Sequence, residues 1–319
     1  MHPRIFIDGE AGTTGLQIRA RLAERADIEL VSLPEERRKD TQARADMLNT
    51  ADLAILCLPD AAAREAVGLI ENPDVRVVDA STAHRTAPDW AYGLPEMDAG
   101  QPVRIAAAKR VANPGCYPTG AILLIRPLIE AGLLPADFPV TVNAISGYSG
   151  GGKSLIARFE ETGGNQDKAD PFYVYGLDLE HKHVNEMRVH SLLERRPLFV
   201  PSVGRFRQGM IVQVPLQLWA LPGSPKPQDI HAALADSYSG QRFVSVAPQS
   251  DSLSELAPDS LNGSNDLRLH VFGNESQEQA LLAAVLDNLG KGASGAAVQN
   301  MNLMLGLEAQ AGLSDRRAA

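Results

Sequence analysis

Apolar and polar positions over the first 115 residues fall in blocks that predict strand and helix by turns. Residues 4–7 (Arg-Ile-Phe-Ile) make a short apolar run, and Leu16, Ile18, Leu22 and Ala23 then recur at helical spacing. Strands are predicted at 28–33, 53–58 and 75–78, with helices at 41–49 and 61–70. Repeated strand–helix pairs imply a parallel, doubly wound sheet. Beyond residue 120 the strand-like stretches crowd together, at 140–145, 198–203, 210–218, 243–246 and 267–272. Val212, Val214, Leu216 and Leu218 alternate with Gln213, Gln217 and Trp219, the period of a half-exposed antiparallel strand. Residues 205–209 are predicted to turn a hairpin, and 221–229 is a Pro- and Ser-rich loop. The segment 280–289 fits strand or helix, 296–307 reads as a helix, and the tail 314–319 is polar. The expected fold is α/β plus α+β: a Rossmann-like parallel sheet, then a second domain built on a largely antiparallel sheet.

Composition narrows the function classes. The chain has 319 residues, 44% hydrophobic and 22% charged, as in an ordinary globular protein with ample core. A formal net charge of −9 argues against nucleic acid or an anionic membrane surface as partner. No apolar run approaches the roughly 18 residues that span a bilayer. The first residues enter a strand pattern directly, without a signal-peptide layout, and two cysteines in dissimilar settings suggest no disulfide framework. A cytoplasmic location is expected.

Candidate chemistry begins at Asp8-Gly9-Glu10-Ala11-Gly12-Thr13-Thr14-Gly15, a glycine turn between the first strand and the first helix. In a βαβ unit such a turn binds dinucleotide pyrophosphate at a helix N-terminus. Gly9, Gly12, Thr13, Thr14 and Gly15 are therefore candidate cofactor residues. The end of the second strand carries Ser32, Arg37 and Arg38, which favour the 2′-phosphate of NADP, against Glu35 and Glu36, which suit the free ribose of NAD. Ser81 and Arg85 follow the strand at 75–78 and are candidate anion contacts.

The centre of the chain is Asn113-Pro114-Gly115-Cys116-Tyr117-Pro118-Thr119-Gly120. Pro118 suits the first turn of a helix, and Ala121, Leu124, Ile125, Leu128 and Ile129 continue at helical spacing. That places Cys116 at a helix N-terminus, where free amides favour a thiolate and hold an oxyanion on its target. Cys57, inside the apolar run 53–58, reads as an inert structural cysteine. Two further motifs compete. Gly147-Tyr148-Ser149-Gly150-Gly151-Gly152-Lys153-Ser154 matches the phosphate-loop pattern of nucleotide triphosphatases, with Asp79 or Asp287 as the metal-holding acid. It equally suits a loop whose glycines let backbone approach a ligand. His181-Lys182-His183 with Glu186 reads as a charged turn, as a metal site lacking a third ligand, or as the acid/base partner that a thiolate requires.

With these residues in order, the chain resembles the N-acetyl-gamma-glutamyl-phosphate reductase family, in its shorter branch. The resemblance rests on Tyr92-Gly93-Leu94-Pro95-Glu96, the Asn113–Thr119 motif, Ser146-Gly147 with its glycine loop, His181-Lys182-His183 with Glu186, and Val298-Gln299-Asn300-Met301-Asn302, and it runs from residue 5 to 307. It implies NADPH-dependent reduction of N-acetyl-L-glutamyl 5-phosphate to the semialdehyde, in arginine biosynthesis, on a fold similar to glyceraldehyde-3-phosphate dehydrogenase. The implied division is 1–114 plus 296–319 for the NADP-binding domain and 115–295 for the catalytic and dimerisation domain, in a homo-oligomer (dimer or tetramer). Carried over by residue, Cys116 is the nucleophile, His183 the acid/base with His181 as its alternative, and Glu186 the group that assists it. Asn300 sits near the nicotinamide, Gly150 and Gly151 near the cofactor, and Ser81, Arg85, Asn113 and Ser146 near substrate. Val184-Asn185 stands where the family often has Thr-Pro. Aspartate-semialdehyde dehydrogenase and carrier-linked aminoadipyl-phosphate reductase share this chemistry; a non-catalytic NADP sensor and the phosphate-loop enzyme are the readings from other classes.

Overall fold

The computed structural model describes residues 2–160, 171–249 and 253–313. They form two compact units. The first comprises residues 2–95, 99–115 and 293–313; the second comprises 96–98 and the described residues of 116–292.

In the first unit, β1 (Arg4–Asp8), α1 (Thr13–Leu22), β2 (Glu29–Val31), α2 (Thr41–Thr50), β3 (Leu53–Leu56), α3 (Asp60–Gly68), β4 (Arg76–Asp79), β5 (Ala91–Tyr92), α4 (Gln101–Ala107) and β6 (Arg110–Ala112) alternate as expected. The six strands form one parallel sheet in the order β2-β1-β3-β4-β6-β5. Strands buried on both faces read as continuous apolar runs, and Leu53, Ala54, Ile55 and Leu56 are all fully buried. Asp8, at the end of β1, is held by Arg44 of α2, whose Nη2 lies 2.9 Å from Oδ2. Both side chains are about nine-tenths buried.

The second unit holds α5 (Cys116–Glu130), β7 (Thr141–Gly147), α6 (Gly152–Glu160), β8 (Phe172–Val174), α7 (Val184–His190), β9 (Leu198–Gly204), β10 (Met210–Gln217), α8 (Pro227–Ser237), β11 (Val244–Val246), β12 (Leu267–Asn274) and β13 (Gln279–Leu286). The described strands form a mixed, mainly antiparallel sheet, β11-β12-β13-β10-β7-β9-β8. Helix α5 lies across it and is buried almost all round, which explains its apolar run Ala121–Ile125. Gly120 makes this close approach feasible, because a Cβ there would meet Val212 at 2.9 Å. Pro127 removes the amide that would bond the Leu123 carbonyl; the Tyr238 hydroxyl donates to that carbonyl instead, at 2.7 Å.

Two expectations change. Residues 205–209 do join β9 to β10, but no hairpin forms: β7 lies between them, parallel to β9 and antiparallel to β10. Local turn signals do not reveal a strand inserted from sixty residues upstream. The ambiguous segment at 280–289 is β13, paired along its full length with both β10 and β12.

The last helix, α9 (Gly295–Met304), belongs to the first unit. Ala297, Val298, Met301 and Met304 enter the core formed by Ile5, Ile7, Val78 and Ile105. Among the described residues no helix is long and apolar enough to cross a membrane.

Candidate active site

The glycine turn of the first unit is built as a close-approach device. Gly9 has φ +87°, and a Cβ on it would meet the Cys57 carbonyl oxygen at 2.4 Å. A Cβ on Gly15 would strike the Gly9 carbonyl oxygen at 2.6 Å. Both positions therefore require glycine. Gly12 is the N-cap of α1 and offers no side chain to its amides, leaving Thr13, Thr14 and Gly15 at a helix N-terminus suited to an anion. Beside this turn lies a cleft of about 380 Å³ lined by Gly9, Glu10, Leu33, Arg38 and Thr41 among others.

Of the basic residues singled out after β2, Arg38 faces this region: its Nη2 pairs with Glu10 Oε1 at 2.7 Å. Ser32 donates to Glu10 Oε2 at 3.1 Å. Arg37 is exposed on the 3-10 turn Glu35–Arg37 and takes no part in that cluster; Glu35 and Glu36 are exposed as well. Arg19 and Glu10, which the sequence reading missed, complete it, with Arg19 Nη1 at 2.7 Å from Glu10 Oε2.

At the end of β4, the fully buried Asp79 carboxylate organises the loop that carries Ser81 and Arg85. It accepts from Ser81 Oγ at 2.7 Å and from the Ser81 amide at 2.9 Å, and sits 2.6 Å from His84 Nδ1. His84 in turn stacks on Trp90 with ring centroids 4.1 Å apart. Asn113 and Asn300 meet in the same unit: Asn300 Nδ2 donates to Asn113 Oδ1 at 3.0 Å and to the Gly93 carbonyl at 2.8 Å. Asn300 is fully buried, yet its Oδ1 accepts no hydrogen bond among the described residues. An orphaned amide oxygen suits a carboxamide donor such as that of nicotinamide. The residues of this unit thus fit a dinucleotide.

In the second unit Cys116 is the first residue of α5 and half-buried. The adjoining Tyr117 ring packs against both imidazoles, with centroids at 5.9 Å from His183 and 6.1 Å from His181. The two histidine rings are 4.7 Å apart. Tyr175 donates to the Tyr117 hydroxyl at 3.1 Å, and burial together with the neighbouring Cys116 raises both phenols. These two tyrosines line the nucleophile's surroundings and were not foreseen; their only signal was proximity in sequence to Cys116 and His181. Ser146 Oγ donates to the Gly147 carbonyl at 3.1 Å, the Tyr117 hydroxyl donates to the Ser202 carbonyl at 3.3 Å, and Glu186, on the first turn of α7, is buried. Gly292 also belongs here, since a Cβ on it would lie 2.8 Å from Cys116 Cβ.

Burial, with Lys182 nearby, pulls His181 down to about 4, and the His183 amide donates to its Nδ1 at 3.1 Å. His181 is therefore a neutral imidazole near pH 7. Its folded value lies below the unfolded one, so the unfolded chain binds the extra proton between about pH 4 and 6.5. Stability is expected to be full above about pH 6.5 and to fall as pH drops toward 4. Urea midpoints measured across that window in His181→Gln should show a flatter decline than the parent.

Cys57 conforms to the inert reading: burial, then Asp79 and Asp8, push it up to about 12. The geometry gives the phosphate-loop reading little support. The amides of its first three residues, Gly147, Tyr148 and Ser149, are bonded to the carbonyls of Gly209, Phe206 and Arg207 and are not open to a phosphate. Asp79 and Asp287 are both structural acceptors: Asp287 takes the Gly263 and Leu289 amides and Gln208 Nε2. Gly150 and Gly151 sit in this second unit, and a Cβ on Gly151 would strike Leu155. Among the described residues no cluster of histidine, cysteine and acids could hold a metal ion.

A parallel nucleotide-type sheet, with a second unit whose first helix begins at a cysteine, fits an oxidoreductase of the semialdehyde dehydrogenase class. The family model for the semialdehyde dehydrogenase NAD-binding domain matches residues 4–104, and that for the semialdehyde dehydrogenase dimerisation domain matches 116–288. The N-acetyl-gamma-glutamyl-phosphate reductase of Brucella anthropi is 59% identical over 96% of this chain and 99% of its own length. That of Burkholderia ambifaria is 58% identical over 96% and 97%. The chain belongs to the N-acetyl-gamma-glutamyl-phosphate reductase family. Among solved structures, aspartate semialdehyde dehydrogenase II from Vibrio cholerae shares the fold, with a TM-score of 0.72 at 15% identity over 96% of this chain and 98% of that one. A probable aspartate-semialdehyde dehydrogenase from Pseudomonas aeruginosa gives 0.70 at 16%, over 96% and 99%.

Proposed function

We propose that this chain reduces N-acetyl-L-glutamyl 5-phosphate to N-acetyl-L-glutamate 5-semialdehyde with release of phosphate, using NADPH, as a cytoplasmic homo-oligomer. The observation that carries the reading is Cys116 at the head of α5 with two imidazoles packed on the adjoining Tyr117. Cys116 Sγ attacks the acyl carbon; the carbon–oxygen bond to phosphate breaks, and a thioester forms. Amides at the α5 N-terminus stabilise the oxyanion of each tetrahedral stage. His183 takes up and returns the proton as thiolate is consumed and regenerated, because His181 stays neutral. Glu186, buried one turn beyond, orients that imidazole. When bound, the reduced nicotinamide supplies the hydride that converts thioester to aldehyde. The glycine turn at 9–15 would hold its pyrophosphate, Asn300 its carboxamide, and Ser32, Arg19 and Arg38 the 2′-phosphate. Gly150 and Gly151 let backbone approach the ligand, and Ser81, Arg85, Asn113 and Ser146 receive the substrate's carboxylate and phosphate.

The test runs the reaction backwards: phosphate-dependent reduction of NADP with N-acetylglutamate semialdehyde is expected, with none from aspartate semialdehyde. Turnover of aspartate semialdehyde alone would overturn the substrate assignment.

A further inference from the structure

Glu10 follows the first glycine of the nucleotide turn, and its carboxylate is buried although the turn itself calls for no acid there. Arg19 Nη1 approaches Oε2 to 2.7 Å, Arg38 Nη2 approaches Oε1 to 2.7 Å, and Ser32 Oγ donates to Oε2 at 3.1 Å. Arg19 also donates to Ser32 Oγ at 2.6 Å, tying the donors together. They come from three separate places: α1, the residue just past β2, and the segment after the 3-10 turn. Two guanidinium groups and a hydroxyl converging on one point make a cradle for a phosphomonoester as much as for a carboxylate. Its position, just past the second strand of a doubly wound sheet, is where the adenosine ribose presents its 2′ substituent. With Glu10 in place the cluster carries one net positive charge; without it, two, matching a phosphate dianion. A carboxylate and a phosphate cannot share the cradle, because like charges at contact distance repel strongly. The 2′-hydroxyl of NAD, by contrast, can donate to Glu10 where it stands.

We propose that Glu10 is an internal stand-in for the 2′-phosphate: it occupies the cradle in the free protein and must be displaced for NADP to bind, so it sets the discrimination between NADP and NAD. This rests on reading the Arg19–Ser32–Arg38 cluster as the 2′-phosphate site. The charges that decide specificity are thus on the glycine turn and α1, while Glu35 and Glu36 stay in solvent.

Calorimetric titration with adenosine 2′,5′-bisphosphate and with 5′-AMP tests the proposal without catalysis. Glu10→Gln is expected to bind the bisphosphate about tenfold more tightly than the parent, with 5′-AMP affinity unchanged or weaker, whereas Arg38→Gln should bind the bisphosphate about tenfold more weakly. Glu10→Ala should behave as Glu10→Gln and guards against a rearranged amide; thermal melts confirm folding. Glu10 variants that bind the bisphosphate no more tightly, while Arg38→Gln weakens it, would overturn the stand-in and leave the 2′-phosphate site intact. If the parent binds both nucleotides equally and Arg38→Gln changes neither, the site assignment and the stand-in fall together.

Discussion

Cys116→Ser is expected to lose at least about a thousandfold in kcat while binding 5′-AMP as the parent does. A serine hydroxyl at the same place stays protonated near neutral pH, and an oxygen ester gives up its acyl group to hydride less readily than a thioester. The substitution is nearly isosteric and sits at the start of a helix, so folding should survive. Steady-state rates on thoroughly purified variant, with calorimetry on the adenosine half, separate lost chemistry from lost binding. The parent also permits a labelling comparison. Iodoacetamide near pH 7.5 should alkylate Cys116 and spare Cys57, whose thiol is pushed up to about 12 by burial and two carboxylates. Retained turnover in Cys116→Ser would remove the thioester from the mechanism.

Lys291→Met is expected to destabilise the protein by about 3–5 kcal/mol, lowering the melting temperature by roughly ten degrees. Lys291 is fully buried, and its Nζ lies 2.8 and 2.7 Å from the two oxygens of the buried Glu96 carboxylate. Burial pulls the ammonium below the ordinary lysine range, against the pull of Glu96 in the other direction. Removing the cation takes from the buried Glu96 carboxylate the ion-pair partner that both its oxygens face. Glu96→Leu with Lys291→Met removes both charges and should recover most of the loss, since an apolar pair pays no desolvation penalty. The next residue, Gly292, has its backbone against Cys116 and its amide bonded to the Asp287 carbonyl at 2.9 Å. The ion pair thereby fixes the wall of the nucleophile's site, so the single variant should also lower kcat. Thermal melts of both variants decide the matter: equal losses in single and double would mean the pair itself carries no coupling.

Elements with local causes were legible in the sequence. The strand–helix alternation of the first unit follows from doubly buried apolar runs, and the placement of Cys116 follows from Pro118 and the helical spacing after it. Long-range pairing was not legible: nothing in residues 205–209 tells that β7 separates the two strands they connect. The site divided the same way. Cys116, His183 and Glu186 carried signals in residue type and motif, and the resemblance to a family supplied their roles. The depressed protonation of His181 comes from its burial and from Lys182 nearby, a property of packing that residue type alone does not carry. Glu10 and Arg19 were passed over because a salt bridge across a turn and a helix leaves no mark in a pattern of glycines. The phosphate-loop match shows the converse, a motif present letter for letter whose first three amides are bonded to a neighbouring connection.

The return of α9 to the first unit has a consequence for synthesis on the ribosome. The parallel sheet emerges first, yet the core around Ile5, Val78 and Ile105 lacks Ala297, Val298, Met301 and Met304 until residues 295–304 have left the exit tunnel. The second unit, nearly all of it a single stretch of sequence, has every described strand available earlier. Maturation should therefore run against chain order, and a nascent chain stalled short of residue 295 should present an apolar face that a chaperone would recognise.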